Sequence, residues 1–169
     1  MTIGINMKVF NKSVIGESHI TDQKPCQDYS LSYTTESGIS IAIVSDGHGG
    51  KSYFRSQIGS ETACRVAKEC LESFVNCVDK SLYTVSGKDI VKIPPLTAIE
   101  HPGKIGQPEE HLRQLSKSII HKWREEVSKD AAECELNEWE RSNVAEEDQA
   151  QLKDGNKRFR AYGCTLIAF

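Results

Sequence analysis

The sequence predicts an α+β fold, on three observations. Residues 28–44 alternate between apolar and polar and then turn almost wholly apolar, on either side of a Glu36-Ser37-Gly38 turn. That is how two antiparallel strands joined by a hairpin read. Two later stretches repeat their apolar residues at threes and fours, the spacing of amphipathic helices. An apolar run, Tyr162–Phe169, then reads as a further strand.

Taken in order, Met7, Val9, Phe10, Val14 and Ile15 suggest an early strand that ends at Gly16, with imperfect alternation. In Asp28–Thr34, Tyr29, Leu31 and Tyr33 alternate with Ser30, Ser32 and Thr34, which predicts a second strand. Ile39–Val44 is apolar except for Ser40 and predicts a third, buried on both faces. After Gly50 the stripe Ile58, Ala63, Val66, Ala67, Cys70, Leu71, Phe74 and Val78 predicts a long helix. Four of the five prolines fall in 79–108, which reads as an irregular connection. Pro108-Glu109-Glu110 suits the first turn of a second helix, whose stripe is Leu112, Leu115, Ile119, Trp123 and Val127. Residues 125–154 hold eleven acids against three bases, and read as a solvated helix end and loop.

The 169 residues are enough for one domain with a sizeable core. A formal net charge of −3 argues against general electrostatic binding to nucleic acid. No apolar run approaches the roughly 20 residues that span a bilayer, and residues 1–8 lack the pattern of a secretion signal. No membrane association is therefore expected, and the expected location is cytoplasmic. The six cysteines include no C-x-x-C pair and no zinc spacing, so they read as reduced, small apolar residues. The fingerprints of two common nucleotide-binding loops are missing as well.

The chemistry concentrates where the third strand ends, in Ser45-Asp46-Gly47-His48-Gly49-Gly50. Asp46 offers hard oxygen ligands suited to Mg²⁺ or Mn²⁺. Gly47 lets a ligand approach the main chain, and an imidazole such as that of His48 exchanges protons near neutral pH. Aspartate and glycine also dominate ordinary turns, so the signal lies in the context. An apolar strand precedes the turn, Gln27-Asp28 lies upstream and Gly163-Cys164-Thr165 downstream.

These motifs, in this order, resemble the metal-dependent (type 2C) serine/threonine protein phosphatases across about residues 16–169, the Asp46–Gly50 turn being the most specific of them. The resemblance implies a four-layer α-β-β-α sandwich with two antiparallel sheets, and two Mg²⁺ or Mn²⁺ ions at one end. It implies that Asp46 bridges the ions, that the Gly47 carbonyl ligates one, and that Asp28 holds metal-bound water. A metal-activated water would attack the phosphorus of a phosphoserine or phosphothreonine in a protein substrate, and His48 would protonate the departing oxygen.

The chain departs from the family pattern in three ways. Gln27 stands where the first member of an acidic pair is expected. The neighbourhood that often carries a phosphate-gripping arginine offers Ser18-His19 and Lys24. The later metal-binding aspartates of the family have no counterpart after Thr165. The chain is thus expected to be the N-terminal portion of a single phosphatase-like domain over 1–169, incomplete at its C-terminus and weak in metal binding alone. The alternative reading is a catalytically silent, phosphatase-like binding module.

Overall fold

The computed structural model describes residues 8–21, 24–77 and 108–169. The expected connection at 79–108 lies outside these apart from Pro108, as does His101. The described residues combine one antiparallel sheet with six α-helices, an α+β architecture. Strands β1 (Tyr29–Thr34), β2 (Ser40–Gly47) and β3 (Cys164–Ala168) lie in the order β1-β2-β3. β1 and β2 form the expected hairpin, with Tyr29 opposite Ser45 and Thr34 opposite Ser40. Gly38 adopts φ 81°, a left-handed conformation that favours glycine, in the connecting turn.

The helices are α1 (Glu17–Thr21), α2 (Ser56–Cys77), α3 (Pro108–Glu133), α4 (Glu138–Asn143), α5 (Glu146–Ala150) and α6 (Arg158–Ala161). α2 and α3 match the two apolar stripes read from the sequence, Val78 of the first lying outside the described residues. α2 lays its buried Cys64 and Ala67 against Ile41 and Ile43 of β2, with Leu31, Tyr33 and Leu166 around them. Ile43 is fully buried, and burial of such a side chain stabilises the fold by about 1.5–3 kcal/mol. A second core joins Phe54, Val127, Val144, Leu152, Ala161 and Tyr162, with Trp123 and Trp139 packed on it. Cys26, Cys64, Cys70, Cys134 and Cys164 are free thiols. No helix among the described residues is long and apolar enough to cross a membrane.

Four expectations are corrected. Residues 8–15 form no strand. Asn11 instead binds the edge of β1 through its side chain, donating to the Ser30 carbonyl and accepting from the Ser32 amide. α1 was not anticipated, because five residues without an apolar stripe leave no period to detect. β2 is buried on one face only: Val44 is 42% exposed, and Ile167 beside it 50%. β2 also runs three residues beyond the expected end, because β3 pairs Asp46 with Thr165 and Gly47 with Cys164.

The acidic stretch is not wholly solvated either. Glu140 is buried and accepts from Arg55 Nε at 2.8 Å and Nη2 at 3.1 Å. The same carboxylate completes a capping box with Asn137 at the start of α4. Arg55 Nη1 reaches Asp130 and the Tyr162 hydroxyl, and Nη2 donates to the carbonyls of Cys134 and Glu135. Burial alone would disfavour the Arg55 cation. The hydrogen bonds and charges of Glu140 and Tyr162 outweigh it and hold Arg55 above its ordinary range.

Candidate active site

The site residues gather at the end of the sheet where β2 stops and β3 starts. β2 alternates its side chains, so Asp46 faces away from α2, and Gly47 faces inward and is buried. Asp46, Asp28, Ser45 and Thr165 line one cavity of about 420 Å³ on the outer face of the sheet. The residue types expected to ligate metal are thus brought together. Neither carboxylate has a hydrogen-bond or ion-pair partner among the described residues. Two such carboxylates are hard oxygen donors, the ligand chemistry that Mg²⁺ and Mn²⁺ take. Among the described residues no group of three His, Cys, Asp or Glu side chains converges to hold a metal.

Gly47 has a steric reason of its own. A Cβ there would run into the carbonyl oxygen of Gln27, and would lie 3.0 Å from both the Gln27 Cβ and the Ser56 carbonyl oxygen. Any side chain would push β2 off the start of α2. The glycine therefore seats Asp46 and His48 at a fixed height on the scaffold.

Gln27, read from the sequence as a weakened acid, is 8% exposed and acts as a brace. Its Nε2 donates to the His48 carbonyl at 3.1 Å and to Ser56 Oγ at 2.6 Å. Its own carbonyl accepts from Ser60 Oγ at 2.5 Å. A carboxylate at this position could not donate to the His48 carbonyl unless protonated. Gln27 Oε1 remains a buried acceptor without a partner among the described residues, and a Cβ on Gly49 would lie 3.8 Å from it.

His48 is exposed, and its main-chain amide donates to the Gly163 carbonyl at 3.0 Å. Its ring meets Tyr53 edge-on, with centroids 4.8 Å apart and planes at 89°. A Cβ on Gly163 would lie 2.7 Å from Tyr53 Cδ1 and 2.9 Å from His48 Nδ1. Gly163 is thus the residue that lets both rings close on the start of β3. Gly163→Ala is expected to shift the ring-proton resonances of His48 and Tyr53 and to destabilise the fold by about 1–3 kcal/mol through overpacking. Unmoved ring resonances in the two-dimensional NMR spectrum would show that the contact is not made.

Cys164 is not poised as a nucleophile. Burial raises its thiol above the ordinary range; a Ser45 hydrogen bond opposes this and the Asp46 charge adds to it. His19 and Lys24 stand in the sequence where the resemblance leads one to look for a phosphate-gripping arginine. They line a separate cavity of about 550 Å³ with Phe54, Gln57 and Glu140, and His19 Nδ1 lies 3.2 Å from the Pro25 carbonyl. Tyr53 and Arg160 were missed by sequence reading. Only the fold joins them, since Tyr53 meets His48 and Arg160, which precedes β3, stacks on Tyr53 with its guanidinium carbon 5.9 Å from the ring centroid.

Comparison with known proteins adds one finding. The family model described as protein phosphatase 2C matches residues 15–169. No curated protein and no solved structure matches the chain.

Proposed function

Because the chain belongs to the protein phosphatase 2C family, we propose that it hydrolyses phosphoserine and phosphothreonine monoesters in protein substrates with Mg²⁺ or Mn²⁺. The observation that carries this reading is the shared cavity of Asp28 and Asp46, whose carboxylates are partnerless among the described residues. Asp46, the Gly47 carbonyl and Asp28 would hold the cation. When bound, such an ion supplies Lewis acidity at the phosphoryl oxygens and lowers the pKa of a coordinated water.

The chain's own residues supply the rest. His48 Nδ1 is turned toward Gly163, so Nε2 is the ring nitrogen left to meet substrate. As water adds to phosphorus and the ester P–O bond breaks, His48 gives its proton to the departing serine or threonine oxygen. The Tyr53 edge and the Gln27 bond to the His48 carbonyl hold the imidazole in place meanwhile. The four-layer sandwich of the family is proposed as the architecture into which this sheet packs. Its support is the open sheet face, where Val44 and Ile167 are half exposed, an apolar surface suited to a second sheet.

The test is release of phosphate from a phosphothreonine peptide by the full-length protein. Chelation should stop turnover and Mn²⁺ should restore it. His48→Ala should slow kcat by roughly 10²–10⁴-fold, the usual worth of a general acid. One observation favours a second reading, a silent binding module: the Gln27 amide is already committed to His48 and Ser56. Peptide binding without turnover in either metal would support that module and sink the enzyme.

A further inference from the structure

A phosphate dianion carries more charge than a divalent ion shared with two carboxylates offsets, so a further cation beside it strengthens its binding. Resting on the phosphoester reading above, we infer that Arg160 grips the substrate phosphate, approaching His48 across the Tyr53 ring. The guanidinium lies over Tyr53, and Tyr53 lies edge-on against His48, so a single ring separates the cation from the imidazole. Arg160 is exposed, and its guanidinium has no hydrogen-bond or ion-pair partner among the described residues.

Three neighbouring bases are engaged: Lys157 pairs with Asp154, Arg158 Nε donates to the Asp154 carbonyl, and Arg55 is held by Glu140. Lys12, which lines the Asp28–Asp46 cavity, and Lys51, two residues before Tyr53, are not, but among the described residues it is Arg160 that lies over the Tyr53 ring. The row of three side chains is seated by the backbone. Tyr53 sits between Gly50 and Gly163, where added Cβ atoms would come within 3.1 and 2.7 Å of its ring. The Gly163 amide donates to the Arg160 carbonyl at 3.1 Å, which ties the arginine to the residue that seats His48. A guanidinium presents a planar fork of donors that matches two phosphate oxygens, and stacking on an aromatic face limits its freedom before it binds. The arginine sought upstream of Asp28 is thus supplied from the segment before β3.

The experiment measures binding of inorganic phosphate and of a phosphothreonine peptide to the full-length protein, beside steady-state kinetics and a Mn²⁺ titration. Arg160→Ala should weaken phosphate binding and raise KM for the peptide by roughly tenfold or more, the loss of a charge-assisted hydrogen bond. Mn²⁺ affinity should stay at the wild-type value, because Arg160 touches neither Asp28 nor Asp46. Arg160→Lys should recover part of the phosphate affinity, which a merely structural role would not produce. Wild-type affinity for both ligands in Arg160→Ala overturns the inference. The phosphatase reading fails separately, if Asp46→Ala leaves Mn²⁺ binding and turnover unchanged.

Discussion

Asp46→Ala is expected to lower Mn²⁺-dependent hydrolysis of a phosphothreonine peptide by the full-length protein at least ~10³-fold, about 4 kcal/mol of transition-state stabilisation. The size of the effect follows from position. Asp46 is the last outward-facing residue of β2, held opposite Thr165 by the β3 ladder and followed by a glycine packed on Gln27. Its backbone is thus held at the end of the sheet, which fixes where the carboxylate starts from. Because it is exposed and partnerless among the described residues, its removal breaks no internal bond, and the thermal midpoint should move by only a degree or two. Turnover within threefold of wild type would rule Asp46 out as the metal carboxylate.

Glu140→Ala is expected to destabilise the protein by about 3–5 kcal/mol, because it leaves the Arg55 cation buried with its principal partner gone. Both side chains are 2% exposed in the ion pair. The carboxylate also caps α4, and loss of that cap adds to the effect. Arg55 touches three separate places: the end of α3 through Cys134 and Glu135, α4 through Glu140, and Tyr162 just before Gly163. Unpairing it should therefore loosen both the segment after His48 and the approach to β3. Denaturant unfolding measures the effect. A loss below about 1 kcal/mol would mean that the pair adds little beyond what water would supply.

What could be read from the sequence follows from how far apart the interacting residues lie. Asp46-Gly47-His48 was legible because an apolar strand running into a carboxylate, a glycine and an imidazole is a local pattern. α2 and α3 were legible because period three-to-four stripes extend over many residues. The end of β2 was not, since it is set by pairing with a strand more than a hundred residues later. Arg55 gave no signal of burial, because its partners Asp130 and Glu140 lie 75 and 85 residues away in sequence. Glu140 in turn was hidden in a stretch whose charge suggested solvation.

Tyr53 and Arg160 also lie more than a hundred residues apart, and no local motif announces their contact. Gln27 shows a different limit. Its identity was read as a lost charge, whereas its place in the fold makes it the donor that holds the His48 carbonyl. A residue's chemistry is visible in the sequence, but its hydrogen-bond partners are not. The early strand failed over the described residues 8–15 for a related reason: its apolar residues suggested pairing, but contact with β1 is made by the Asn11 side chain.

The most direct test of the central claim, that Asp46 and Asp28 form a divalent-metal site, is calorimetric titration of the full-length protein with Mn²⁺ beside Asp46→Asn and Asp28→Asn. The asparagine variants keep shape and remove charge. The account predicts saturable Mn²⁺ binding in the wild type, loss of the heat of binding in Asp46→Asn, and weakened binding in Asp28→Asn. Superimposable isotherms for the three proteins would contradict it.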